Sequence, residues 1–239
     1  MAIRSLFQQG EHTVTSTGTV NDLSINDCGF VRLNNASDLT LTGLVAGVPG
    51  QVVCLVSVGA GNVFLSHDTG SSSVNRLLNV VTSGPTPLAA GLGLAIYQYD
   101  GTTQRWRLIQ HEQGAPLTPA YSAGNFTASG TMAWTVASGD VSAYTYYIKG
   151  RLLFFNFQFD TTSITAPLSN QCRVAIPGGY TTTTATQGYC FILDNNNYKS
   201  GRFYIGSSTQ VFMEIVPLAN YLAATNTTYF GLQGQITIT

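Results

Sequence analysis

The chain has 239 residues, of which 44% are hydrophobic and only 9% charged, and its formal net charge is −1. Typical globular proteins carry ~25% charged residues, so Thr, Ser, Asn, Gln and Gly fill the polar positions here. Two lysines, Lys149 and Lys199, speak against nucleic acid, which needs clustered Lys and Arg, and the hydrophobic content speaks against disorder.

The opening "MAIRSLFQQGEH" has no long apolar core and no clear cleavage site, so it is not read as a signal peptide. No run approaches the ~20 apolar residues of a membrane span. Helical periodicity is not sustained over three turns anywhere. "PLAAGLGLA" has helix-friendly residues, but its glycines and flanking prolines weaken that reading. Strands are expected at Phe30–Leu33, Leu39–Leu44, Gln51–Val58, Asn62–Ser66, Leu92–Tyr99 and Arg105–Gln110, a spacing typical of an all-β domain. "IYQYDGTTQRWRLIQ" reads as a hairpin that closes this domain. Trp106 on its returning arm is a ligand platform or, more in keeping with its size, a core anchor.

"HEQGAPLTPAYSAGN" follows, with two prolines, two glycines and no alternation. It is the best linker candidate. The expected division is residues 1–113, an N-terminal β domain for attachment or trimerisation, and residues 114–239, a displayed C-terminal domain. New strands are expected at Met132–Val136, Ala143–Ile148, Arg151–Asp160, Cys172–Ile176, Gln187–Leu193, Gly201–Ile205, Val211–Val216, Tyr229–Leu232 and Gln235–Thr239. "IKGRL" and "DNNNYKSGR" read as exposed turns. The fold class is all-β, with two β-sandwich or jelly-roll-like domains in tandem.

The four cysteines, Cys28, Cys54, Cys172 and Cys190, form no CxxC pair. Cys54 and Cys190 lie in apolar strand-like runs and read as buried free thiols.

The stretches "VRLNNASDLTLTGLVAGVPGQVVCLVSVGAGNVFLSHDTGSSSVNRLL" and "LGLAIYQYDGTTQRWRLI" resemble a module common in bacteriophage tail-fibre and other virion surface proteins. The likeness covers roughly residues 28–110. "YIKGRLLFFNFQFDTTSIT" and "RVAIPGGY" are similar to the C-terminal β domains that follow such modules. The resemblance implies a homotrimer, other virion proteins as partners, a distal domain that contacts the host surface, and a place in the virion after assembly in the host cytoplasm. It implies no catalytic residues. His67 and Asp68 of "SHD" are read as a strand end held by local backbone hydrogen bonds.

Signals of chemistry are sparse. G-x-S-x-G, the P-loop and G-x-G-x-x-G do not occur. His12, His67 and His111 are not at metal-ligand spacing with another His or Cys. No metal, cofactor or catalytic residue is assigned. A glycosidase needs two spaced carboxylates, for which Asp140, Asp160, Asp194 and Glu214 are candidates. Most of these sit at strand ends or turns. Glu214 lies inside the apolar "VFMEIVP", where alternation turns it to solvent or leaves it as a buried functional acid. Sequons at Asn35, Asn125 and Asn226 are assigned no glycan.

Sugar binding fits the composition better, because neutral glycans are held by aromatic faces, amides and hydroxyls. "YTYYIKG" and "DNNNYKSGR" supply Tyr144, Tyr146, Tyr147, Asp194, Asn195, Asn196, Asn197 and Tyr198. Asn195, Asn196, Tyr198 and Tyr146 are the candidate ligand-binding set, against a reading in which the tyrosines pack the sheet and the Asn run is only a turn. The leading expectation is a non-enzymatic phage virion surface protein, a tail-fibre or receptor-binding component that contacts a host glycan or protein. The alternatives are a capsid or tail decoration protein without a receptor, and a stand-alone lectin.

Overall fold

A computed structural model describes residues 10–183 and 185–239. Most of the opening segment read above as no signal peptide, residues 1–9, lies outside the described residues. The chain is all-β, and the described residues include no α-helix. It divides into two compact units. One holds the chain up to Pro116 together with Ile148–Arg151, and the other holds Leu117–Tyr147 and Leu152–Thr239.

The first unit contains β1 (Glu11–Val14), β2 (Gly18–Val20), β3 (Phe30–Leu33), β4 (Leu39–Leu41), β5 (Val52–Ser57), β6 (Val63–Leu65), β7 (Leu77–Leu78), β8 (Thr86–Leu88), β9 (Leu94–Asp100) and β10 (Arg105–Glu112). One sheet runs β1-β3-β5-β9-β10-β7 and the other β2-β4-β6-β8. The chain alternates between them, so β1, β3 and β5 are parallel neighbours, as are β2, β4 and β6. Strand alternation then aims Val31, Leu33, Val53 and Leu55 from one sheet, and Leu39, Leu41, Val63 and Leu65 from the other, into one buried cluster. Each such side chain contributes ~1.5–3 kcal/mol on burial. The same alternation leaves Cys54 half-buried on the opposite face, not in the core.

Successive rungs touch through backbone. A Cβ on Gly61 would lie 2.1 Å from the Ser37 carbonyl carbon, so only glycine fits that corner. Beside it, Asn35 Nδ2 donates to the Ser37 and Asn62 carbonyls at 2.8 and 3.2 Å.

The β9–β10 hairpin forms as expected, with Tyr99 opposite Trp106. Trp106 is a core anchor: it is fully buried, its indole N–H points at the Leu44 and Val45 carbonyls, and Tyr99 meets its ring edge-on at 5.2 Å. The "SHD" segment follows β6, but its bonding differs from the expectation. Asp68 pairs with Arg105 at 3.1 Å and Arg76 at 3.8 Å, while His67 Nδ1 accepts the Asn79 N–H. "PLAAGLGLA" holds the end of β8 and a turn. The short strands β1, β2, β7 and β8 were not expected.

The second unit contains β11 (Phe126–Ala128), β12 (Ala133–Thr135), β13 (Val141–Lys149, of which Val141–Tyr147 belong to this unit), β14 (Leu152–Thr165), β15 (Cys172–Ala175), β16 (Gln187–Asp194), β17 (Asn197–Ser207), β18 (Gln210–Val216) and β19 (Ala224–Thr237). They form one sheet, ordered β11-β15-β18-β17-β16-β19-β14-β12, with β13 also paired to β14. The sheet curls until its ends meet. Phe126 on β11 contacts Trp134 on β12 at 5.8 Å and Phe159 on β14 at 5.1 Å, and Trp134 contacts Phe230 at 5.0 Å. Thr161 and Asn226, both at positive φ, mark the bend of the two long strands, where the β14–β19 register shifts. The two strands expected at the C-terminus are one. β19 runs unbroken through Gly234, which pairs with Phe155 and where a Cβ would meet the Phe155 and Phe203 rings at under 3 Å.

Candidate functional site

The outer face of the second unit is built by alternation on β16. Cys190 and Ile192 point inward and are buried, which turns Tyr189 and Phe191 outward. Tyr189 is 89% exposed and Phe191 49% exposed. On β17, Tyr198 is 79% exposed and meets the Phe191 ring at 5.5 Å. Exposed apolar patches of this kind are candidate interaction surfaces.

Two grooves flank Tyr189. One, of about 390 Å³, is lined by Gln187, Gly188, Tyr189, Arg202 and Val216. The other, a shallow and open depression of about 590 Å³, runs along Asn156, Gln158, Tyr189, Phe191, Gly231 and Gln233. Gly231 lies opposite both Phe191 on β16 and Gln158 on β14. Lacking a side chain, it leaves the floor of the second groove open. Asn156 and Gln233 face each other in register, and Gln233 Nε2 donates to Asn156 Oδ1 at 3.1 Å.

A buried carboxylate braces this face. Glu214 is not turned to solvent: it is buried, and its carboxylate accepts from Tyr204 Oη at 2.7 Å, Gln171 Nε2 at 2.8 Å and Arg202 Nη2 at 2.7 Å. Burial pushes its carboxyl up, but these hydrogen bonds and the Arg202 charge outweigh burial and leave it below its ordinary value. Tyr204 is pushed up to about 12, first by burial and then by Glu214.

The sequence-derived set separates in space. Tyr198 belongs to the exposed aromatic face. Asn195 and Asn196 form the two-residue turn between β16 and β17, at φ of 49° and 61°, which is the backbone of a type I′ hairpin. Asn residues are there because they tolerate positive φ. Asn195 Oδ1 accepts from Thr227 Oγ1 at 3.2 Å, and the Asn196 N–H donates to the Thr227 carbonyl at 3.1 Å. The exposed turn is shorter than expected, because Asn197–Arg202 already lie in β17. Tyr146 drops out of the surface set: it is 4% exposed, and its ring packs against Tyr180 at 6.0 Å. Tyr144 is buried too, with its hydroxyl donating to the Ala175 carbonyl.

The other acids are tied to the fold. Asp194 is fully buried and takes the Leu222 N–H on both oxygens at 3.1 Å. Asp140 accepts from the Ala137 N–H and from Thr161 Oγ1, and Asp160 accepts from Ser142 Oγ.

Tyr189 and Phe191 were missed because "YCFIL" reads as a strand apolar on both faces. That was itself the signal. One face of such a strand stays exposed unless a further layer covers it. A scan against protein-family models and a search of curated proteins find no match to this chain.

Proposed function

We propose that this chain is a non-enzymatic surface component of a bacteriophage virion, of the tail-fibre or receptor-binding kind, assembled as a homotrimer. The first unit attaches or trimerises, and the second displays its β14–β19–β16–β17 face to the host. The likeness of residues 28–110 to virion surface modules supports the virion setting. The observation that carries the contact role is Tyr189, exposed between two grooves on a braced sheet. Projecting aromatics of this kind anchor recognition when a rigid scaffold holds them.

Electron microscopy of virions labelled with an antibody to this chain tests the setting. Label at fibre or tail tips is the expected result. Label spread over the capsid lattice would mean a decoration protein, and unlabelled virions would remove the chain from the particle.

A further inference from the structure

We infer that the face around Tyr189 binds a neutral saccharide through a pair of adjacent hydroxyls. The inference rests on the contact role proposed above and names the chemistry of the ligand. Three observations converge on it.

The first is the platform. Tyr189 projects between the grooves with most of its surface in solvent. An aromatic face of this kind stacks on the C–H side of a sugar ring and needs no charge. Beside it, a Cβ built on Gly231 would meet only the Phe191 Cβ, at 3.8 Å. A flat ring can therefore lie low along the groove floor.

The second is the amide pair. The Gln233–Asn156 hydrogen bond uses one carbonyl oxygen and one N–H. The NH₂ of Asn156 and the carbonyl oxygen of Gln233 are left over from that bond, and both residues line the second groove. Exchanging O and N on both amides leaves the same complement of one donor and one acceptor group. A hydroxyl both donates and accepts. Two adjacent hydroxyls therefore match the pair, one accepting from Asn156 and its neighbour donating to Gln233.

The third is charge. Arg202 stands directly across the ladder from Tyr189, but its Nε and Nη2 are both spent on Glu214 Oε2, at 3.0 and 2.7 Å. The cation nearest the platform is already matched, so the face favours a neutral ligand over an acidic one.

The test prints neutral and acidic oligosaccharides on two arrays. One array is oxidised with periodate, which cleaves vicinal diols, and then reduced with borohydride. In parallel, labelled protein is adsorbed to a panel of bacterial strains. The expected result is binding to a neutral oligosaccharide that falls at least tenfold on the oxidised array. Tyr189→Ala lowers it about tenfold, Gln233→Leu lowers it several-fold, and Tyr189→Phe retains it. All three variants keep the wild-type circular dichroism, since both side chains are exposed. Binding only to acidic glycans, binding that survives periodate, or an empty array alongside adsorption that Tyr189→Ala abolishes would overturn the saccharide and leave the contact role standing. Bacterial adsorption unchanged by Tyr189→Ala would overturn the contact role as well.

Discussion

Arg202 lays its guanidinium on the Glu214 carboxylate, with Nη2 2.7 Å and Nε 3.0 Å from Oε2. The pair spans adjacent strands in register, and Tyr189 is the next residue along the same row. A buried acid thereby holds the exposed end of Arg202 beside the platform. Burying a carboxylate is costly unless it is paired and hydrogen-bonded, and the three donors on Glu214 meet that condition.

The bracing acid gives the protein a distinct acid response. The folded-state pKa of Glu214 lies below its ordinary 4.5. Its contribution to stability is therefore complete above that value and disappears as pH falls through the lower folded value. Asp194 has the opposite sign. Burial raises it above 3.8, against the Leu222 N–H and the Lys199 charge. Its contribution is complete below 3.8 and is lost as pH rises through the folded value. Urea unfolding from about pH 3 to pH 7 should show a shallower acid limb for Glu214→Gln than for wild type. Asp194→Asn should relieve the loss on the rising side. Parallel curves for all three proteins would contradict both assignments.

In the first unit, the Tyr97 hydroxyl donates to Asn79 Oδ1 at 2.6 Å, and Asn79 Nδ2 donates to the Leu65 carbonyl at 2.7 Å. Both side chains are buried. Tyr97→Phe strands the Asn79 oxygen without a partner and should cost about 1–3 kcal/mol. The urea midpoint should fall at constant m-value. A midpoint within error of wild type would show that the pair contributes nothing net.

Phe126 closes the curl of the second unit against Trp134, Tyr144 and Phe159. Phe126→Ala should destabilise that unit by about 3–5 kcal/mol. Trp134 emission should shift to the red as water reaches its ring. An unshifted spectrum with unchanged stability would mean that the sheet closes without this residue.

Assembly is tested by mass. A closed homotrimer requires three times the 25.5 kDa chain mass in light scattering. The near-neutral net charge offers little repulsion between copies. A clean monomer at micromolar concentration would reject the trimer.

The sequence carried the strands better than it carried their arrangement. Phe30–Leu33 was legible to the residue because Val31 and Leu33 alternate with exposed neighbours. The parallel pairing of β3 with β5 was not legible, since alternation states which side chains face inward and not which strands adjoin. On the candidate face, Tyr198 was found through its turn-like neighbours, although it lies in β17. Tyr146 was misplaced because tyrosine serves equally at a surface and in a core. Glu214 was ambiguous for a related reason. Alternation does put it on the outer face, but Arg202 and Tyr204 from the neighbouring strand β17 and Gln171 from 43 residues away then cover it, and strand alternation does not state which side chains adjoin across a ladder.

Tyr189 and Tyr198 carry the proposed contact with the host. Adsorption of labelled protein to a panel of bacterial strains measures this directly. Both side chains are exposed, so a Tyr189→Ala/Tyr198→Ala variant should melt within about 0.5 kcal/mol of wild type. Wild-type protein is expected to adsorb to at least one strain, and this normally folded variant to lose at least nine-tenths of the adsorption. Equal adsorption by the two proteins would contradict that contact.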